Sequence, residues 1–334
     1  MSRVAAVGSP RPLPLSDPDA LLDVEIVLGD PGPHDLLVDV RAVSVNPVDT
    51  KVRNAFEPGD EPRVLGFDAA GVVAAVGSSV TGFAVGDEVF HAGCIDRTGS
   101  NAAQQLVDAR IVGHKPRTLD FAEAAALPLT SITAWESLFE KFRLTADSRG
   151  TLLVMGAAGG VGSMIVQLVR RLVPGVTIIA SASREESAQW ARDLGAHHVV
   201  DHHRLREEIP AIAARGVSHV FSPFSAGNVE TYAAIMDVFG EVVAIDEPEG
   251  LELLPLKDRS QTWHWELMFA RPLFDPESTA QRDLLDEVAR LVDEGALRTT
   301  MTTRLEGLDA TTVRRAHEMI ESGRTVGKVV IDRD

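Results

Sequence analysis

The stretch TLLVMGAAGGVG, Thr151–Gly162, decides the reading. An apolar run, TLLVM, enters a turn with glycine at 156, 159, 160 and 162, and SMIVQLVRRL (Ser163–Leu172) follows with apolar residues at helical spacing. Strand, glycine turn and helix in that order form the setting in which a glycine motif acquires meaning. Gly156, Gly159, Gly160 and Gly162 permit a tight turn, and with Ala157 and Val161 they let backbone amides approach a pyrophosphate at a helix N-terminus. The expectation is a dinucleotide site on this loop.

Working outward, VTIIAS (Val176–Ser181) reads as a second strand and SREESAQWARDLG (Ser183–Gly195) as a helix stopped by glycine. HHVVD is a short third strand, HVFSPF and GEVVAID are later strands, and VETYAAIMDVF between them has helical spacing. Alternating strands and helices imply a parallel sheet with right-handed crossovers. The fold class is therefore α/β, a doubly wound Rossmann sheet inserted in a β-rich domain, with the nucleotide domain at 125–260 and the β-rich domain at 1–124 and 261–334.

The end of the second strand addresses which dinucleotide. Sites for NAD place Asp or Glu there, about 20 residues after the loop, to bind the ribose 2′-hydroxyl. Here Ser181-Ala182-Ser183-Arg184 offers hydroxyls and a guanidinium, which suit a 2′-phosphate and favour NADPH. Ser183 also reads as a helix cap, with Glu186 completing a capping box. Phe221 and Ser222, with Ile245 and Asp246, close the next two strands at the carboxyl ends, where ligands bind such sheets.

Before Leu119 the texture differs. LLVDVRAVSV (Leu36–Val45) alternates as a half-buried strand does, and Gly71–Val76 and Asp87–Phe90 are further short strands between glycine turns. Phe121–Leu127 is alanine-rich, Ile132–Phe142 has helical spacing, Asp283–Leu297 reads as an amphipathic helix, and Lys328–Ile331 as a last strand. Asp and Glu number 49 against 32 Lys and Arg, a formal charge of −17. That field repels phosphate backbones and anionic lipid, so neither nucleic acid nor membrane is an expected partner. The single cysteine, Cys94, excludes an intrachain disulfide framework and a thiolate-rich metal site. No apolar run reaches the roughly 18 residues of a membrane span, and Met1–Leu15, broken by three prolines, reads as no secretory signal. The expectation is a cytoplasmic globular protein.

Five ordered segments carry a resemblance: Val45-Asn46-Pro47-Val48-Asp49-Thr50, Gly66-Phe67-Asp68-Ala69-Ala70-Gly71, Val85-Gly86-Asp87-Glu88-Val89, Ala124–Leu129 and the glycine loop. Together they resemble the medium-chain dehydrogenase/reductase superfamily, in particular its quinone oxidoreductase branch and the bacterial zinc-type alcohol dehydrogenase-like group, whose signature Ser260–Phe269 (SQTWHWELMF) also resembles. The resemblance implies a groES-like β domain beside the Rossmann domain, NADPH in the cleft between them, hydride delivery to a quinone or an α,β-unsaturated carbonyl compound, and a homodimer paired through the Rossmann sheets.

Zinc-dependent alcohol dehydrogenases carry Cys where this sequence has Asn46, and Gly-His-Glu where it has Gly66-Phe67-Asp68. Loss of both ligands, and of the four cysteines of a structural site, leads us to expect no metal. His197, His198, His202 and His203 flank a short strand and do not all face one point. By carry-over Asn46, Asp49 and Lys51 are the catalytic candidates, Asn46 as a donor to substrate or nicotinamide and Lys51 as proton donor or oxyanion anchor. Thr130 matches a position near the nicotinamide, and His202 one near the adenosine phosphate. Trp263, His264, Trp265 and Met268 are candidates for the substrate pocket or the dimer seam. Two rivals stand beside the reductase: an alcohol or aldehyde dehydrogenase of the zinc type, and a non-catalytic NADPH-binding or sensor protein.

Overall fold

The computed structural model describes residues 2–333. They divide into two compact units, one formed by Met1–Ile132 with Phe269–Asp334 and the other by Thr133–Met268.

The second unit holds a six-stranded sheet whose strands are, in chain order, Gly150–Val154, Val176–Ser181, His198–Val200, Val217–Ser222, Met236–Ala244 and Thr262–Trp265. Across the sheet they run third, second, first, fourth, fifth, sixth, all parallel. This is the dinucleotide-binding order, whose direction reverses between the first and fourth strands. Helices cover such a sheet on both faces, so its strands are apolar throughout. Val176–Ser181 is buried except at Thr177.

Local signals account for most boundaries. Gly195, at φ 108°, ends the helix Glu185–Leu194 in the left-handed region that L side chains avoid. The run VETYAAIMDVF departs from expectation: it is helical only over Val229–Ile235, and Met236 already pairs with Val217 in the sheet. The pairing breaks and resumes at Glu241 opposite His219, with Phe239 at φ 62° in the bulge. Sheet pairing overrides the helical period there. Ser260–Phe269 also departs, since Thr262–Trp265 is the sixth strand of this sheet and belongs to the nucleotide unit, not to 261–334. At the other end the nucleotide unit begins at Thr133 rather than 125, because Phe121–Ala125 packs on the strands of the β-rich unit.

In the first unit Asp35–Val45 is the central strand. It pairs antiparallel with Ala69–Val76, Gln104–Asp108 and Lys328–Asp332, and the sheet continues to Glu88–His91 and Val112–His114 on one side and Met301–Glu306 on the other. Two register shifts against Ala69–Val76 bend it, as β-bulges do in barrel-like sheets. A smaller sheet of Ser2–Ser9, Leu22–Leu28 and Arg63–Val64 completes the unit. Among the described residues no helix is long and apolar enough to cross a membrane.

Candidate functional site

In the nucleotide unit the first strand ends at Val154, and the helix Gly160–Leu172 begins after Gly159. Gly156 lies at φ 63°, a conformation that costs glycine little. A Cβ on Gly162 would stand 2.5 Å from the Gly156 carbonyl oxygen and 2.7 Å from Ala157 Cα, so only glycine lets the helix start this close to the turn. The Gly156 amide donates to Ser181 Oγ at 3.0 Å, tying the loop to the second strand. First-turn amides have no partner within a helix, and they carry its positive dipole end. Loop and helix thus form a backbone cradle that fits the pyrophosphate of a nicotinamide dinucleotide. Ala157 is buried beneath it, while Gly159, Gly160 and Val161 are half-buried.

Around this cradle the side chains fall into two groups. Ser183 and Arg184 are exposed at the end of the second strand, with the Arg184 guanidinium 4.0 Å from Glu186. The expected Ser183 cap is corrected: Arg184 is the N-cap residue, no side chain closes the cap, and Glu186 lies toward the guanidinium instead. Phe221 and Ser222, by contrast, are buried. The Ser222 hydroxyl lies 2.8 Å from Tyr232 Oη and accepts from the Phe224 amide, so it supports the loop after the fourth strand rather than facing outward. Asp246 likewise accepts from the Ser225 amide at 2.6 Å and from its hydroxyl. Ile245 is half-buried beside it. This braced loop sets Pro223 and Phe224 against Gly156, each within 3.3 Å of where a Cβ there would stand.

His202, half-exposed, groups with its neighbours. Asp201, His202 and His203 place one potential ligand atom each within 4.8 Å of one another, the one such trio of His, Cys, Asp or Glu among the described residues. On the edge strand Trp263 and Trp265 share a face, ring centroids 5.7 Å apart. Trp263 packs on the core, Trp265 is exposed, and Met268 is buried. His264, on the other face, has Nε2 2.8 Å from Glu241.

The β-rich unit holds the second group of polar residues. Asn46, at the end of the central strand, precedes the helix Pro47–Asn54 and is buried with Asp49. Asp49 Oδ2 accepts from the Asn46 amide at 2.7 Å, and its Oδ1 is buried without a partner. Burial pushes the Asp49 carboxyl up to about 7, aided by the nearby Asp68 charge and opposed by the Asn46 amide and Lys328. Asn46 Nδ2 donates to Asp68 at 2.7 Å, and its Oδ1 accepts from Lys328 Nζ at 2.5 Å. Lys328 Nζ also donates to Asp68 at 2.9 Å, and the Leu129 amide to the other Asp68 oxygen at 2.7 Å. Burial pushes the Asp68 carboxyl up, while Lys328, Leu129 and Asn46 favour its charged form. Three donors on its two oxygens fit a carboxylate.

One expectation changes here. The Asn46 amide, expected to reach a ligand, is saturated inside the protein by Asp68 and Lys328. Lys51 is exposed on its helix. Thr130, also buried, turns its hydroxyl back to the Leu127 carbonyl at 3.1 Å. Sequence reading places Lys328 only at the start of the last strand and misses its burial, as it misses the role of Asp68. The latter had a signal, an acid inside the apolar run Gly66–Val76. His91 was also missed. Fully buried with neither ring nitrogen partnered, it is pushed down to about 4 and stays neutral near pH 7.

The residues at positions 46, 67 and 68 do not fit a zinc ion. Phe67 is a buried ring edge-on to Phe269, and the Asn46 and Asp68 oxygens that face inward already accept from an ammonium. Zinc requires several nitrogen, sulfur or carboxylate donors turned to one open point.

The sheet order and the glycine cradle define a nicotinamide-dinucleotide-binding class of protein. Comparisons narrow it. Residues 32–134 match the alcohol dehydrogenase GroES-like domain and residues 194–331 the zinc-binding dehydrogenase family. A zinc-type alcohol dehydrogenase-like protein of Staphylococcus aureus is 37% identical over 339 residues, 98% of this chain and 99% of its own. A solved protein from Rhizobium etli, classed with the zinc-dependent alcohol dehydrogenases, superposes with a TM-score of 0.95 at 46% identity, covering 100% of this chain and 99% of its own. The NADPH-dependent alkenal/one oxidoreductase of Arabidopsis thaliana is 36% identical over 200 residues, 57% of this chain and 50% of its own. The chain belongs to the zinc-type alcohol dehydrogenase-like family of the medium-chain dehydrogenase/reductase superfamily. It is a nicotinamide-binding oxidoreductase.

Proposed function

We propose that the protein is an NADPH-dependent, zinc-independent reductase that passes hydride to a quinone or an α,β-unsaturated carbonyl compound. One observation carries this reading: the buried centre of the β-rich unit is built from an amide, a carboxylate and an ammonium, with a phenyl ring at the position of a histidine ligand. Such a centre supplies no Lewis acid to polarise a plain alcohol or ketone, which favours acceptors already activated by conjugation. The exposed Ser183 and Arg184, with no acid closing the second strand, support the 2′-phosphate of NADPH. So does the similarity to the Arabidopsis NADPH-dependent alkenal/one oxidoreductase.

Bound NADPH supplies the hydride. The Gly156–Gly162 loop would hold its pyrophosphate and Arg184 its 2′-phosphate, with His202 helping to hold that phosphate. Reduction of a conjugated carbonyl leaves an oxyanion that needs a donor and a proton. Asp49, pushed up to about 7, is able to hold that proton near neutral pH. Lys51, exposed on the same helix, donates to the oxyanion from solvent. Asn46 acts by positioning Asp68 and the helix that bears Asp49. Two copies pair through the edge strand Thr262–Trp265, whose unpaired rim and exposed Trp265 suit strand-to-strand addition.

The test is a paired titration with NADPH and NADH, followed by a quinone and an enone in chelator-treated buffer. Tighter NADPH binding and oxidation on adding acceptor support the reading. Activity that appears only with zinc and a simple alcohol returns it to the zinc-type dehydrogenases, and binding without turnover makes it a sensor.

A further inference from the structure

Lys328 heads the C-terminal strand Lys328–Asp332, yet it is 3% exposed. A lysine this deep is uncommon, because its charge loses water. Its Nζ has three donors, and they meet three acceptors: Asp68 Oδ2 at 2.9 Å, Asn46 Oδ1 at 2.5 Å and the Val45 carbonyl at 3.2 Å. Asp68 in turn takes the Asn46 amide group and the Leu129 backbone amide, each at 2.7 Å. One carboxylate thus joins the start of the helix Pro47–Asn54, the first turn of the helix Pro128–Trp135 and the C-terminal strand. An anion at that first turn also meets the positive end of the helix dipole.

We propose that Lys328 is the resident cation of this site: its ammonium cross-links Asn46 and Asp68, fills the space a divalent ion would need, and makes the three-segment clamp depend on a lysine charge in place of a metal. An incoming ion would have to expel a hydrogen-bonded ammonium and would then find one carboxylate, one amide oxygen and one carbonyl, a poor set for zinc. Isolated burial of either charge is costly, whereas loss of both leaves a neutral pair that can pack. The inference stands on these contacts and not on the reductase reading, so it survives or fails without a substrate.

Four proteins test it: the wild type, Lys328→Met, Asp68→Asn and the double variant Asp68→Asn/Lys328→Met. They are compared in urea unfolding from pH 5 to 8, in hydrogen exchange of the peptide containing Leu129, and in equilibrium dialysis against Zn²⁺. Lys328→Met is expected to raise the unfolding equilibrium constant by about a hundredfold to a thousandfold at pH 8, as when one partner of a buried pair is removed. The loss should shrink toward pH 5, because the uncompensated Asp68 and the neighbouring buried Asp49, which Lys328 also faces, then take protons, and Leu129 should exchange faster. The double variant should recover most of the stability at every pH. Wild type and Asp68→Asn should retain the same amount of zinc, any bound ion lying elsewhere. Three results would overturn the proposal: zinc retention abolished by Asp68→Asn, a Lys328→Met loss independent of pH, or a double variant no better than the single. If Lys328→Met does not fold, the double variant decides: a folded double supports the charge pairing, and an unfolded double refutes it.

Discussion

Glu266 offers a prediction whose magnitude follows from its surroundings. Its backbone is fixed at the end of the edge strand, where its N–H donates to the Ala244 carbonyl oxygen at 2.9 Å. Its side chain is 1% exposed, with Oε1 unpartnered and Oε2 3.8 Å from Lys141 Nζ. The buried Glu136, on the π-helical turn Glu136–Lys141, shares a hydrogen bond with it. Burial first, then the Glu136 charge, pushes the Glu266 carboxyl up to about 9 from an ordinary 4.5. The folded protein therefore keeps a proton that the unfolded chain gives up. Its contribution to stability is full below pH 4.5 and is lost as pH rises through 9. Over that window the loss is about 1.4 kcal/mol per pH unit. Glu266→Gln keeps the volume and has no proton to lose. Between pH 6 and 8.5 the variant should therefore gain about 3 kcal/mol on the wild type. Urea unfolding of both proteins, followed by tryptophan fluorescence across that range, measures the difference; titrating groups other than the Glu266–Glu136 pair, which shares its proton, cancel. Parallel curves, with a gap constant to about 0.5 kcal/mol, would refute a protonated Glu266.

Other predictions follow from the two sites. Gly162→Ala puts a Cβ 2.5 Å from the Gly156 carbonyl oxygen, so it should cost about 1–3 kcal/mol by thermal unfolding and abolish nicotinamide binding by fluorescence. Normal binding by that variant would mean the cradle is not used. Arg184→Ala should weaken NADPH at least tenfold while leaving NADH nearly unchanged, roughly 1.4 kcal/mol of selectivity in a titration; an equal effect on both would remove the 2′-phosphate assignment. Asp49 holds its proton up to about 7 against an ordinary 3.8, so it stabilises the fold below pH 3.8 and that contribution is lost as pH rises through 7. Asp49→Asn should erase this decline, seen as a flatter melting temperature between pH 5 and 8.

The nucleotide unit was legible because its chemistry is local. The glycine loop, the apolar strands and Gly195 each impose their conformation within a few residues. Where long-range pairing decided, the sequence misled: Met236–Phe239 kept a helical apolar period, yet entered the sheet because Val217 lay beside it. The same holds for the polar centre. Asn46, Asp49 and Asp68 sit in motifs that attract attention, but Lys328 lies 260 positions from Asp68 in the chain. No local pattern announces that this lysine is buried on a carboxylate. Glu136 and Glu266 are likewise 130 residues apart, each within an ordinary-looking apolar run. Ser222 ends its strand and Asp246 lies just past the next one, but what their side chains touch depends on Tyr232 in the helix Val229–Ile235 and on Ser225 in the loop before it.

Hydride transfer from NADPH to a conjugated acceptor without zinc is open to one decisive experiment. The chelator-treated protein is supplied with NADPH carrying deuterium at both hydrogens of the nicotinamide C4, and with an enone or a quinone. Stoichiometric oxidation of the cofactor is expected, and with the enone a product carrying the deuterium on carbon by mass spectrometry. An undeuterated enone product, or turnover that returns only when zinc is restored, would contradict it.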